Sequence, residues 1–74
     1  MQTQDMIRMA NQISDFFKSY TEKEAIAGIS DHISKFWEPG MRRDFFAHME
    51  SGGAGFSDLV KQAAVEVKRP RVGA

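Results

Sequence analysis

The chain has 74 residues, no cysteine, and ten Lys and Arg residues balanced by ten Asp and Glu residues. A chain of this length forms one small domain, whose core usually needs additional stabilisation. The missing cysteines exclude disulfide bonds and thiolate metal sites. We therefore expect a partner protein to stabilise the domain. The balanced charge argues against a dedicated nucleic-acid-binding protein. The sequence contains no apolar run of the roughly 20 residues that span a bilayer. Its first residues do not show the basic segment followed by an apolar segment that is typical of a secretory signal.

The first predicted element is an amphipathic helix over residues 4–20. Its apolar side chains recur at the i, i+3, i+4 and i+7 spacing of one helical face. These side chains are Met6, Met9, Ala10, Ile13, Phe16, Phe17 and Tyr20. They share an arc of about 120°, so we expect this face to be buried against the rest of the domain.

The second predicted helix covers residues 22–37 and starts at the sequence TEKE. Thr21 is a suitable N-cap, and Glu24 stands three residues later, where a capping box requires it. The apolar face of this helix contains Ala25, Ile26, Ile29, Ile33, Phe36 and Trp37. Gly28 lies on its flank, and because glycine costs about 1 kcal/mol in a helix, close backbone packing is a reason for its presence.

Pro39 predicts both the end of the second helix and the start of a third. Proline disfavours helical geometry in the residue before it and suits the first turn of a new helix. We predict the third helix over residues 39–51, with Gly52 and Gly53 as a left-handed C-cap.

A short fourth helix is predicted over residues 58–67, with Ser57 as its N-cap. The residues 68–74 that follow are basic and aperiodic, and we expect them to be a flexible tail. The pattern contains no strand and no repeat. It therefore predicts an all-α fold, a small bundle of three main helices plus a short C-terminal helix, in a single domain over residues 1–67.

Catalytic and metal-binding sites are poorly supported by the sequence. His32 and His48 are the two histidines, and no ligand spacing surrounds them, so we interpret them as imidazoles at the core boundary with one hydrogen bond each. The SGGAG segment lacks the Lys-Ser/Thr of a phosphate-binding loop and follows no strand. We predict no catalytic, cofactor-binding or metal-binding residue in this chain.

An interaction site is predicted instead near the end of the second helix. Arg42 projects among Met49 and Phe46 on the third helix, and two interpretations fit: a guanidinium that reaches solvent over an apolar stem, or an interface arginine that meets another chain. The residues that we predict to contact a partner are Trp37, Pro39, Met41, Arg42, Arg43 and Phe46. On this view Trp37→Ala or Arg42→Ala weakens partner binding and leaves the helices of the free chain largely intact.

Three segments resemble the delta subunit of NAD-dependent, molybdenum-containing formate dehydrogenases. They are RMANQISDFF at 8–17, EAIAGISDHISKFWEPGMR at 24–42 and HMESGGAGFSDLVKQAA at 48–64. The run AGISDHISKFW, followed at once by a proline and Met-Arg, is the most specific part. Where the family usually has Asp-Pro-Arg-Met-Arg, this chain has Glu38-Pro39-Gly40-Met41-Arg42.

The resemblance implies a non-catalytic accessory subunit of a cytoplasmic complex. The catalytic alpha subunit of such a complex carries bis-molybdopterin guanine dinucleotide and iron–sulfur clusters, and beta and gamma subunits pass electrons to FMN and NAD. The delta chain is expected to hold none of these groups. It is expected to bind the alpha subunit and to support assembly, stability or molybdenum-cofactor insertion.

Two other functions remain open from the sequence. A transient maturation chaperone would bind the catalytic subunit only before the cofactor is inserted. A small helical nucleic-acid-binding protein would use Arg42, Arg43 and the basic tail, although the balanced charge argues against it.

Overall fold

The computed structural model describes residues 2–69 and is all-α within that range, as the sequence pattern predicts. The elements are α1 at Thr3–Phe17, α2 at Glu22–Phe36, α3 at Pro39–Glu50, α4 at Asp58–Ala63 and a 3-10 turn at Ala64–Glu66. The first three helices end within a few residues of the predicted bounds. The fourth is shorter than predicted because its last turn tightens into the 3-10 form, which is common at helix ends. Between Gln2 and Arg69 there is no helix with both the length and the apolar character needed to cross a membrane.

The predicted start of α2 and the predicted C-cap of α3 are confirmed by their hydrogen bonds. The Thr21 hydroxyl accepts the Glu24 backbone N–H at 3.2 Å, and the Glu24 carboxylate accepts the Thr21 backbone N–H at 3.2 Å. At the end of α3, the Gly53 N–H donates to the His48 carbonyl and the Gly52 N–H donates to the Met49 carbonyl, the two bonds of a Schellman motif. The φ angle is +118° at Gly52 and +65° at Gly53, in the positive region that residues with a side chain rarely adopt.

The core lies around α2, which packs most extensively against α4 and α1. Its buried apolar side chains come from all four helices, the turn before α4 and the segment after it. They are Met6, Ala10, Ile29, Ile33, Trp37, Phe45, Phe46, Phe56, Val60, Ala63, Ala64 and Val67. Phe56 was missed by the helical pattern because it lies in a loop, where no periodicity marks a residue as buried.

Aromatic rings fill the centre of this core. The Phe45 ring lies 5.9 Å from the Trp37 ring in an edge-to-face arrangement and 5.2 Å from the Phe56 ring. Phe45 is fully buried. Aromatic pairs at such distances contribute about 0.5–1.5 kcal/mol beyond the area they bury. Three of the four aromatic residues of the α2–α3 segment, Trp37, Phe45 and Phe46, therefore close the core of the chain itself.

Asn11 joins α1 to the loop before α4. Its side-chain amide donates to the Gly55 carbonyl at 2.8 Å, and its side-chain oxygen accepts the Ser57 backbone N–H at 2.9 Å. The Ser57 hydroxyl in turn donates to the buried Ser14 hydroxyl at 2.8 Å and accepts the Val60 N–H. One polar side chain thus fixes the start of α4 on α1, which confirms Ser57 as the N-cap and gives Asn11 a structural role.

Asn11→Ala is expected to lower the free energy of unfolding by about 2 kcal/mol, because two hydrogen bonds of about 1 kcal/mol each are lost. Urea denaturation followed by circular dichroism measures this difference. Gln12→Ala, a change at the exposed neighbour, is the matched control and is expected to stay within about 0.5 kcal/mol of the parent. Equal midpoints for the two variants would show that Asn11 does not hold the loop.

Candidate interaction surface

Two of the six residues predicted to contact a partner lie in the core. Trp37 is 5% exposed and Phe46 is 6% exposed, and each packs against Phe45. The sequence could not separate an aromatic residue that closes a small core from one that a partner would bury. The expectation that Trp37→Ala leaves the free chain folded is therefore corrected, because removing the indole opens a cavity at the centre of the domain.

Arg42 has a role that neither sequence interpretation included. Its Nη1 donates to the Trp37 carbonyl at 2.6 Å and to the Ser34 carbonyl at 3.3 Å. The last carbonyls of a helix have no partner inside the helix and carry partial negative charge. Arg42 thus caps the C-terminus of α2 from the first turns of α3 and fixes the angle between the two helices. Its Nε is buried with no hydrogen-bond partner among the described residues.

Arg42→Ala is expected to destabilise the chain by about 2 kcal/mol, since hydrogen bonds from a charged donor contribute about 1.5–3 kcal/mol. Thermal unfolding followed by circular dichroism tests this. The adjacent Arg43 is exposed and is the matched control, with an expected change within about 0.5 kcal/mol for Arg43→Ala. If both variants melt at the same temperature, Arg42 contributes nothing as a cap.

The remaining predicted contact residues differ in accessibility. Met41 is half-buried against the core, whereas Pro39 and Arg43 are exposed. Contact between these residues and a partner stays a prediction. Of the six, only Pro39 and Arg43 are exposed in the structure; Met41 and Arg42 are partly buried, and Trp37 and Phe46 are buried.

The largest exposed apolar side chains lie elsewhere, on the α1 and α2 faces predicted to be core. Phe16 is 67% exposed, Tyr20 is 50% exposed and Phe36 is 72% exposed, which corrects the prediction that they are buried. Phe16 lines a groove between α1 and α2 with a volume of about 470 Å³, and Tyr20 and Phe36 pack against two further lining residues, Phe17 and His32. We call this the aromatic groove, and its lining residues are Met9, Gln12, Ile13, Phe16, Phe17, His32 and Trp37.

The rim and floor of the aromatic groove are formed by packed rings. Phe16 contacts Phe17 edge-to-face at 4.9 Å, and Tyr20 continues this cluster at 5.3 Å from Phe17. On the opposite wall, the Phe36 ring lies 4.9 Å from the His32 ring. The groove is thus a preformed apolar surface supported from beneath by the core.

Gly28 explains how Phe17 reaches the floor of the groove. A methyl group at this position would lie 2.6 Å from Cζ of Phe17 and 2.9 Å from its Cδ1. The ring occupies the space that any side chain at Gly28 would need. Close packing as the reason for this glycine is therefore confirmed.

Gly28→Ala is expected to displace the Phe17 ring and destabilise the chain by about 1–3 kcal/mol, despite the better helix propensity of alanine. Gly40→Ala is the matched control, because the nearest atom there is the Arg43 guanidinium at 3.8 Å. The control is expected to gain up to about 1 kcal/mol. Urea titration of both variants measures the difference, and a gain of equal size at Gly28 would contradict the packing.

The two histidines have packing roles. His48 lies 5.1 Å from the Phe56 ring, and its Nε2 lies 2.7 Å from the Ala54 carbonyl, so this nitrogen carries the proton and donates. His32 packs on Phe36 at the groove. Over residues 2–69, no three His, Asp or Glu side chains are grouped so that they could hold a metal ion.

The predicted tail begins as an ordered segment. The Lys68 backbone N–H donates to the Ser34 hydroxyl at 2.8 Å, and the Arg69 guanidinium lies 4.2 Å above the Phe46 ring. Arg69 thus covers Phe46 with a cation–π contact. The rest of the predicted tail, residues 70–74, lies outside the described residues.

Comparison with known proteins gives one family. A family model described as the NADH-dependent formate dehydrogenase delta subunit FdsD matches residues 5–64. No curated protein and no solved structure matches the chain at a significant level. The match extends from the first turn of α1 to Ala64, the first residue of the 3-10 turn after α4, and it confirms the resemblance found in the sequence.

Proposed function

Because the chain belongs to the FdsD family of formate dehydrogenase delta subunits, we propose that it is a non-catalytic accessory subunit that binds the catalytic alpha subunit of a cytoplasmic NAD-dependent molybdenum formate dehydrogenase. Its binding supports assembly, stability or insertion of the molybdenum cofactor. The proposal places the bis-molybdopterin guanine dinucleotide, the iron–sulfur clusters and FMN in other subunits.

The observation that carries the docking part of this proposal is the exposure of Phe16 and Phe36 beside the aromatic groove. Small soluble domains gain stability by burying large aromatic rings, so two phenylalanines with about 70% exposure support the proposal that another protein covers this surface. Aromatic residues and methionine are enriched in protein interfaces. The groove provides both types around a preformed recess.

The expected binding free energy follows from the two aromatic side chains, Phe16 and Phe36, that the partner would bury. A buried aromatic anchor typically contributes about 2 kcal/mol or more when truncation is measured. Both phenylalanines lie at the surface on separate helices, and the α1–α2 contact holds these helices together. Little reorganisation is then needed on binding, which favours affinity.

The contacts of the two histidines are consistent with a supporting role of this chain in the complex. His48 is engaged by the Ala54 carbonyl, and His32 packs against Phe36. The proposed contribution to formate oxidation is therefore indirect: the chain stabilises a conformation of the alpha subunit or one step of its maturation.

Co-expression of the alpha, beta and gamma subunits with and without this chain tests the function. We expect the chain to co-purify with the active complex at a fixed ratio, and its omission to lower the yield or the molybdenum content of the alpha subunit. Unchanged yield, molybdenum content and activity would contradict an accessory role. Molybdenum content restored by a chain that is missing from the purified active complex would identify a transient maturation factor instead of a permanent subunit.

A further inference from the structure

We infer that the occupant of the aromatic groove is a single α-helix of the partner subunit, with uncharged apolar side chains facing the groove. The inference rests on the proposed function, because it describes the surface of the catalytic subunit that the groove would meet. It names the secondary structure and the chemistry of that surface.

The spacing of the groove residues is the first argument. On α1 the groove residues Met9, Ile13 and Phe16 follow one another at intervals of four and three residues. On α2, His32 and Phe36 are four residues apart. Rows of side chains at intervals of three and four residues form the ridges and holes into which a further helix packs. From Met9 to Phe16 the row extends about 10 Å, the length of two helical turns.

Met9, Ile13 and Phe16 lie along the groove that opens between α1 and α2. The two helices pack on each other, and the lining residues Met9, Ile13 and Phe17 are partly buried against the core. The groove between them is lined by both helices. A third helix laid along this groove would cover Met9, Ile13 and Phe16, and it would reach Phe36 next to His32, the lining residue that Phe36 contacts.

The charge of the groove specifies the occupant further. None of its lining residues is an Asp, Glu, Lys or Arg, and Gln12 and His32 provide polar groups. Elsewhere on each helix, charged side chains form local ion pairs outside the groove lining, Arg8 with Asp5 and Lys35 with Asp31, both at 3.2 Å. A charged group that entered the groove would lose its hydration and find no counter-charge, which is costly. The complementary surface is therefore apolar and uncharged.

A second copy of this chain fits the surface less well. The exposed parts of Phe16, Tyr20 and Phe36 amount to about 400 Å², taking about 200 Å² for a whole aromatic side chain. A stable interface usually buries about 800 Å² on each partner. A helix that belongs to a large subunit brings further surface of that subunit against this chain, whereas a copy of this chain joined by the groove alone would remain below that area.

Site-specific photo-crosslinking in the intact complex tests the inference. Phe16 or Phe36 is replaced by p-benzoylphenylalanine in a chain co-expressed with the catalytic subunits. The complex is irradiated, and the crosslinked peptides are mapped by mass spectrometry. We expect both positions to crosslink to one helical segment of the catalytic subunit, at uncharged residues that are three, four or seven positions apart. Val65 is 88% exposed and is not among the groove residues, so the same replacement there is the matched control and is expected not to crosslink to that segment.

The other outcomes separate the inference from the proposed function. Crosslinks to a strand or loop of the catalytic subunit, or to charged positions, would overturn the helix and leave the accessory role intact. Crosslinks between two copies of this chain would make a second copy the occupant. Co-purification with no crosslink from either phenylalanine would move the docking surface away from the groove. Failure of the unmodified chain to co-purify would contradict the proposed function itself.

Discussion

Trp37→Ala is expected to leave most of the isolated chain unfolded. Replacing a buried tryptophan by alanine typically costs about 3–5 kcal/mol, because packing is lost and a cavity remains. Domains of this size rarely gain more than about 3–5 kcal/mol from their core, so the loss is comparable with the whole stability. Trp37 is 5% exposed and contacts Phe45, which is itself fully buried.

Far-UV circular dichroism of the purified variant measures this effect directly. Trp37→Phe is the matched control, because a smaller aromatic ring keeps part of the contact with Phe45 and is expected to retain a cooperative transition at a lower midpoint. Parental helicity and a parental midpoint for Trp37→Ala would contradict the core position of Trp37. The same result would favour the sequence-based prediction that Trp37 contacts a partner.

Phe16→Ala and Phe36→Ala are each expected to weaken binding to the catalytic subunit about 30-fold, while the free chain stays folded. A loss of about 2 kcal/mol for an aromatic anchor corresponds to this factor. Folding is expected to persist because both side chains are mostly exposed and contribute little to the core. Titration of the purified catalytic subunit with each variant gives the dissociation constants.

Val65→Ala provides the matched control for this pair. Val65 is also a large exposed apolar residue, at 88%, and its truncation is expected to change the dissociation constant less than twofold. An equal loss of affinity for all three variants would indicate a general effect of surface hydrophobicity. Unchanged affinity for both phenylalanine variants would remove the groove from the interface.

Much of the fold follows from local signals in the sequence. The capping box at Thr21, Ser57 as an N-cap, Pro39 at a helix start and the glycines after α3 each depend on backbone chemistry within a few residues. Such signals are readable because the partner group is close in the chain. The helical periodicity likewise identifies which face is apolar.

The same signals cannot show which part of an apolar face another element covers. Phe16 and Phe36 follow the helical pattern as well as Ile29 and Ile33 do, yet the first pair is exposed and the second is fully buried. The difference is set by where α3 and α4 pack, and that depends on contacts between distant residues. Phe56 shows the opposite case, since a loop residue became part of the core.

Some of the residues predicted to contact a partner also have roles inside the fold that the sequence did not reveal. The specific run that ends in Pro39, Met41 and Arg42 forms the corner between α2 and α3, and Arg42 acts there through two backbone carbonyls. A side chain that bonds to carbonyls five and eight residues earlier leaves no periodic signal. The long-range bonds of Asn11 to the loop before α4 were missed for the same reason.

Hydroxyl-radical footprinting of the chain, free and in the purified complex, tests most directly the claim that it docks through the aromatic groove. Phe16 and Phe36 are expected to react readily in the free chain and to lose most of their reactivity in the complex, while Val65 reacts equally in both. Unchanged reactivity of both phenylalanines, together with protection at Pro39 and Arg43, would contradict the claim and place the interface at the α2–α3 corner.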